Sequence, residues 1–119
     1  MALIRCNTAI SNASALLADN QCLELGSTDC SVVDMVQGTP LSLNGGSFTS
    51  FVINAKNMNS ISASFANEAT NKRVYGIQNG TNVPLGTASG TFTVTDYDYI
   101  VVQQSGNISS ASMGVTWVS

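Results

Sequence analysis

The densest group of chemically capable side chains is an alternation of acids and tyrosines, Asp96, Tyr97, Asp98 and Tyr99. In an extended chain the two carboxylates lie on one face and the two rings on the other. Carboxylates bind sugar hydroxyls and rings stack on sugar faces, so these four residues are candidates for a glycan site. The alternatives are a strand start with core tyrosines and solvated acids, or a calcium site. Calcium needs roughly six to eight oxygen ligands, more than two carboxylates supply.

Trp117 is the fifth candidate for glycan binding. Its alternation with Met113 and Val115 predicts a core position. An exposed stacking platform and an anchor between subunits are the alternatives, because tryptophan is favoured at the centres of interfaces.

Enzymatic chemistry finds little support in the remaining residues. The chain has no histidine, which removes the commonest general base, the Ser-His and Cys-His pairs and most zinc sites. Cys6, Cys22 and Cys30 match no zinc spacing, and free buried thiols are favoured over one bridge plus a free thiol. The acids are scattered and select no pair for glycoside hydrolysis. We therefore expect no catalytic residue, no metal, no cofactor and no enzyme.

Charge is scarce throughout the chain. Only 9% of the 119 residues are charged, against roughly 25% in average soluble proteins. A net charge of −3 without a basic cluster argues against nucleic acid. Two long stretches, Val74 to Thr95 and Tyr99 to Ser119, carry no charge at all. This pattern favours a protein that packs among copies or neighbours through shape and neutral hydrogen bonds.

No targeting or membrane segment is expected. The first residues make a poor signal peptide, because Arg5 is the one basic residue and Asn7 interrupts the apolar run. The uncharged segment from Met35 to Ala55 contains Gly38 and Pro40, which disfavour a transmembrane helix. We expect synthesis in a host cytoplasm and no membrane partner.

The second half of the chain alternates between short strand patterns and turn signals. The segment Ser60 to Ala66 has the cleanest alternation, with a buried face of Ile61, Ala63 and Phe65. Asn79-Gly80 is a strong turn dipeptide, Gly76 marks a bulge, and Pro84 keeps its segment irregular or at a sheet edge. The predicted strands are Ser47–Ala55, Ser60–Ala66, Arg73–Gln78, Gly90–Thr95, Tyr97–Gln104 and Ser109–Val118.

The first 45 residues are less regular. A strand can open at Leu3, and Val32–Val36 and Leu23–Leu25 also resemble short strands. Thr8–Asn20 has a weak helical spacing that suits one short helix. Together these patterns predict an all-β chain: an antiparallel, jelly-roll-like β-sandwich over residues 46–119, with an irregular N-terminal portion over residues 1–45.

A resemblance accompanies this pattern. From Phe48 onward the order is a strand SFTSFVINA, a small-residue strand SISASFA, then TFTVT with a tyrosine turn, YIVVQQSG and a closing SSASMGVTWV. This order resembles the small β-sandwich modules of tailed-bacteriophage virion proteins, such as capsid decoration proteins and head or tail fibres. Those modules often carry an S-x-D-G-x-x-W segment, where this chain has Asn67 to Asn71 with neither Asp-Gly nor Trp.

The resemblance implies a non-enzymatic virion protein that decorates or stabilises a capsid, or forms part of a fibre, at the virion surface. Its partners would be capsid or tail proteins and further copies of itself, with a trimer favoured. A carbohydrate-binding module for host-surface glycans is the alternative function, and a filament or surface-layer subunit is the third. The N-terminal portion would anchor through apolar side chains, for each of which an ordinary core position is the alternative: Leu3, Ile4, Leu16, Leu17 and Leu23.

Overall fold

The computed structural model describes residues 2–6, 31–44, 48–106 and 112–119, and within these ranges every regular element is a β-strand. The alternation of apolar and hydroxyl side chains explains this choice, because a period of two suits a half-buried strand and not a helix. The strands are β1 Ala2–Cys6, β2 Ser31–Asp34, β3 Leu41–Asn44, β4 Phe48–Asn54, β5 Ser60–Ser64, β6 Asn71–Gln78, β7 Thr81–Gly86, β8 Gly90–Thr93, β9 Tyr99–Ser105 and β10 Ser112–Trp117.

Two antiparallel sheets form a β-sandwich. The six-stranded sheet has the order β2-β1-β4-β9-β6-β7, and the four-stranded sheet has the order β3-β10-β5-β8. From β3 onward the pairs are nested: β3 with β10, β4 with β9, β5 with β8, and β6 with β7. This is a long hairpin rolled up so that successive nested pairs alternate between sheets, which is the jelly-roll arrangement. The predicted jelly-roll-like sandwich is confirmed.

The tip of this rolled hairpin is the turn between β6 and β7. Asn79 and Gly80 both have positive φ, at 51° and 76°, as a type I′ hairpin turn requires at its two central residues. Asparagine and glycine tolerate this conformation better than other residues. The turn predicted from the Asn-Gly dipeptide is therefore present, and it sets the register of the innermost strand pair.

The core lies between the sheets. Phe51, Ile53, Ile61, Ile100 and Met113 are fully buried there. The inward alternation predicted for Ser60–Ala66 is confirmed, because Ile61, Ala63 and Phe65 belong to this core. Cross-strand register pairs Phe51 with Val102 and Ile53 with Ile100, so the two central strands of the larger sheet contribute to the same layer.

The larger sheet is buried on both of its faces at its centre. Val52, Val101 and Ile77 lie on the face opposite the core cluster, and their exposed fractions are 2%, 0% and 2%. β9 is a central strand of this sheet, and all its residues from Tyr99 to Gln104 are buried, so both faces are covered there, which a local alternation pattern does not reveal.

Strand pairing crosses the boundary expected at residue 45. β1 pairs with β4 and β3 pairs with β10, so strands from the N-terminal portion belong to both sheets. The short helix expected over Thr8–Asn20 and the strand expected over Leu23–Leu25 lie outside the described residues. The described ranges contain no helix that is long and apolar enough to cross a membrane.

The bulge predicted at Gly76 is wrong in its position. The register shift lies between Val74 and Tyr75, where Val74 pairs with Gly86 and Tyr75 with Pro84, so Leu85 is the extra residue. Pro84 does lie in an edge strand, as predicted. Gly76 remains in register and serves a packing role instead.

We predict that Gly80→Ala lowers the free energy of unfolding by about 1 kcal/mol, because an added Cβ strains a left-handed backbone even where space is open. Gly90→Ala is the matched control: an added Cβ there also meets nothing within 4 Å, and its φ lies outside the left-handed range. Urea denaturation of both variants measures the difference. Equal stability of the two variants would contradict the turn assignment.

Candidate functional site

The acid and tyrosine cluster forms a turn and not an extended strand. The Tyr97 amide donates to the Val94 carbonyl at 3.3 Å, which closes a turn over Thr95 and Asp96. Beyond it, the Asp98 amide donates to the Ile77 carbonyl and the Asp98 carbonyl accepts from the Ala55 amide. The extended geometry that would place both tyrosines on one face is therefore wrong, because the chain must reverse here between the two sheets.

The two tyrosines consequently lie on different sides of the larger sheet. Tyr97 packs against the core cluster and fills the space above Gly76, where an added Cβ would overlap the Tyr97 ring. Tyr99 begins β9 on the opposite face, 6% exposed, and the Lys56 Nζ lies 5.5 Å from its ring centroid. This cation–π contact covers the ring that a sugar would need.

Trp117 lies in the other sheet and faces inward. It pairs with Ile61 across β5 and packs against the core together with Met113 and Val115, as the alternation predicted. Its indole Nε1 is buried and has no hydrogen-bond partner in the described part of the chain. A ring held with its polar edge inside is poorly placed as an exposed stacking platform.

The five candidate glycan residues are therefore not assembled into one surface. Asp96 and Asp98 are exposed, while Tyr97 and Trp117 pack against the core and Tyr99 is buried on the opposite face of the larger sheet. Glycan binding stays a prediction, and the positions of these five residues do not support a shared binding surface.

The anchor residues fall into two groups. Leu3 and Ile4 lie in β1, an interior strand whose backbone pairs with β2 and β4, so this stretch is part of a sheet and not a free arm. Leu16, Leu17 and Leu23 lie outside the described residues. The anchoring role of all five stays a prediction.

Metal-ligating groups are also dispersed in the part of the chain that the structure describes. No group of three or more histidine, cysteine, aspartate or glutamate side chains comes together there. Cys6 ends β1, and Cys22 and Cys30 lie outside the described ranges.

The surface that stands out is the outer face of the four-stranded sheet, which we call the hydroxyl face. Ser62 pairs with both Thr116 and Thr91, and Ser60 pairs with Thr93, so hydroxyls stand side by side across three strands. The alternation within each strand is visible in the sequence, whereas the alignment of these strands into one surface depends on their pairing. The face consists of Ser42, Ser60, Ser62, Ser64, Thr91, Thr93, Gly114 and Thr116, all exposed or half-buried and all uncharged.

The scarcity of charge has different causes in β9 and on the hydroxyl face. In β9 every residue from Tyr99 to Gln104 is buried, and burying an unpaired charge is costly, so the fold itself excludes charge there. On the hydroxyl face the side chains reach solvent, where lysine or glutamate would be tolerated. Burial does not explain the neutrality of this face, which marks it as the candidate functional surface.

One titratable group outside this face is perturbed. Burial raises the pKa of the Tyr75 phenol above its ordinary value, and the positive charge of Arg73 opposes this in part. The Arg73 Cζ lies 5.1 Å from the Tyr75 ring centroid. The folded state thus holds the phenolic proton to a higher pH than the unfolded chain does.

We predict that Gly76→Ala lowers the free energy of unfolding by about 1–3 kcal/mol, since the new methyl overlaps the Tyr97 ring. In a double-mutant cycle, Tyr97→Ala should cost less in the Gly76→Ala background than in the wild type. Gly114→Ala is the control, because its Cβ meets only ordinary contacts, the nearest at 3.6 Å. Additive effects of the two substitutions would contradict the packing role of Tyr97.

We predict that stability falls as pH rises above about 10, because the raised pKa of Tyr75 favours the folded state only while the phenol is protonated. Ultraviolet titration of the phenolate should show a step above pH 10 that Tyr75→Phe removes and Arg73→Ala moves upward. A Tyr75 step at or below its ordinary pKa would contradict this environment.

Comparisons with protein-family models, with curated proteins and with solved structures found no match for this chain. The jelly-roll arrangement by itself hosts viral capsid domains, lectins and cupins, so the fold leaves several functions open. The hydroxyl face is the surface of this chain whose chemistry bears on its function.

Proposed function

We propose that the protein is a non-enzymatic structural component of a bacteriophage virion. It decorates or stabilises the capsid, or forms part of a head or tail fibre, through protein–protein contacts at the virion surface. The observation that carries the proposal is the hydroxyl face, an exposed sheet surface that holds no charged side chain.

The chemistry of this face suits contact with a neighbouring subunit. Charged residues are depleted at the centres of protein interfaces, because a charge that loses its water without a partner costs binding energy. Short serine and threonine side chains lose little rotamer entropy when they become ordered. Their hydroxyls can donate or accept, so a neighbour's backbone can satisfy them.

The jelly-roll order adds support of a general kind, since capsid domains are among its common uses. The resemblance of residues 48–119 to small virion modules points in the same direction. Contacts made by neutral hydroxyls should also persist at high salt, because screening weakens interactions between charges.

Mass spectrometry of purified phage particles from bacteria that carry this gene tests the proposal. We expect the protein in amounts comparable with the other surface subunits, retained after a wash in 1 M salt. Its absence from purified particles, despite expression in the same cells, would overturn the proposal.

We predict that Ser64→Lys lowers the amount of protein on particles by about tenfold, because the exposed Ser64 lies on the hydroxyl face and a buried unpaired charge weakens an interface. Thr81→Lys is the control, since Thr81 is exposed in β7 of the other sheet. Unfolding midpoints of both variants should match the wild type. Equal loss of particle-bound protein in both variants, or no loss in either, would show that the hydroxyl face is not the contact with the particle.

Glycan binding remains the alternative function, and Asp96 and Asp98 are its exposed candidate residues. A glycan array probed with the full chain, beside Asp96→Asn and Asp98→Asn variants, separates it from the structural role. Specific binding that the variants lose would favour a host-recognition module. Filaments of the purified protein in negative-stain microscopy would favour the third option, a filament or surface-layer subunit.

A further inference from the structure

The strand β8 is the last described strand of the four-stranded sheet and borders the hydroxyl face. We propose that β8 pairs antiparallel with β8 of a second copy of this chain, about a two-fold axis at Phe92, and joins two sandwiches into a dimer. This inference goes beyond the virion role, because it concerns the purified chain alone.

Among the described residues, the backbone pairing of β8 uses its inner side, toward β5, and no described strand pairs with its outer side. The Val94 amide donates to the Asn59 carbonyl at 2.8 Å, and the register places Ser60 opposite Thr93. Antiparallel pairs alternate between bonded and non-bonded, so Phe92 and Gly90 bond to β5. The N–H and C=O groups of Thr91 and Thr93 therefore point away from β5, toward the edge.

A second observation supports this assignment. The carbonyl of Ser60 accepts from the Val118 amide at 3.0 Å, and the Ser60 amide donates to the Ser119 carbonyl at 3.0 Å. Ser60 thus bonds on its β10 side, which leaves its partner Thr93 without a bond to β5. Thr91 and Thr93 are both exposed along this edge.

Although β8 is only four residues long, its edge lacks three other devices that commonly block strand addition. Charges, prolines and bulges usually protect sheet edges from pairing with another chain. The edge strand β7 carries Pro84 and a register shift. In contrast, β8 has neither a proline nor a charge, and its four residues pair with β5 in continuous register.

The edge is also complementary to itself. With Phe92 opposite Phe92 of the second copy, Thr91 lies opposite the second copy's Thr93, and the reverse holds by symmetry. The outward groups then form four backbone hydrogen bonds. The threonine side chains meet as cross-strand pairs on the outer face, and the two hydroxyl faces become one continuous surface.

Charge does not oppose this contact. The nearest acid along the chain, the exposed Asp96, lies opposite position 88 of the second copy in this register, and residue 88 is an alanine. The strand register itself therefore pairs Asp96 with no acid, although each copy carries a net charge of −3.

Sedimentation velocity and light scattering of the full chain, from low micromolar to near millimolar concentration, test the proposal. We expect a reversible increase from the 12.4 kDa monomer to twice that mass. A monomer at every concentration would overturn the proposal, and so would the trimer that the virion resemblance favours, because a two-fold edge contact closes at two copies.

Two variants locate the contact. Thr91→Pro removes an outward N–H without removing a bond to β5, and Thr91→Lys adds a charge at the edge. Each should weaken dimerisation by roughly tenfold or more. Thr91→Pro deletes two of the four bonds, and the charge of Thr91→Lys protects the edge from pairing. Thr81→Lys, at the edge of the other sheet, and Ser64→Lys, on the hydroxyl face, should leave the dimer within about twofold of wild type.

Circular dichroism and urea midpoints of all four variants confirm that each one is folded. A dimer that resists both Thr91 variants, or that Ser64→Lys disrupts equally, would overturn the edge assignment. Loss of particle incorporation in Ser64→Lys with an intact dimer separates this contact from the proposed virion contact, so either can fail alone.

Discussion

The nested antiparallel pairing of β3 to β10 is the constraint on which the rest of the structure depends. It begins at the Asn79–Gly80 turn, whose positive φ angles match the twist of the innermost strand pair. The three outer pairs follow it in turn toward both ends of the chain. Because the pairs alternate between sheets, the rolled hairpin encloses one apolar core and leaves one face of the smaller sheet in solvent.

This pairing separates two kinds of neutral sequence that look alike along the chain. In β9 neutrality follows from burial, because the side chains on both faces of the strand are buried. On the hydroxyl face neutrality accompanies exposure, where stability makes no such demand. Only neutrality on an exposed surface indicates a partner. The strands β5, β8 and β10 therefore support assembly, whereas the uncharged region as a whole does not.

The same architecture explains why the acid and tyrosine cluster forms a turn and not an extended strand. The chain leaves the smaller sheet after Val94 and enters the larger sheet at Tyr99, so it must turn within a few residues. Tyr97 closes the end of the core above Gly76, where a larger residue would leave no room for the ring. Glycine at this position is thus a packing requirement created by a residue far away in sequence.

Local pattern was sufficient for much of the fold. Alternation predicted the strands around Ile61 and Trp117 and their inward faces, and the Asn-Gly dipeptide predicted its turn, because these depend on neighbours along the chain. The strand β3 was missed, since a four-residue strand carries little periodic signal. The position of the bulge was missed because it depends on how β6 pairs with β7.

By itself, the sequence determined that the chain would be all-β, poor in charge and without histidine chemistry. Only the tertiary structure decided which faces meet solvent, which tyrosine enters the core and which strand ends a sheet. The reason is that β3 and β10 pair Leu41 with Val115, across most of the chain, and no local pattern encodes such a partner. The hydroxyl face likewise exists because the pairing of β5 with β10 and with β8 aligns three separate strands.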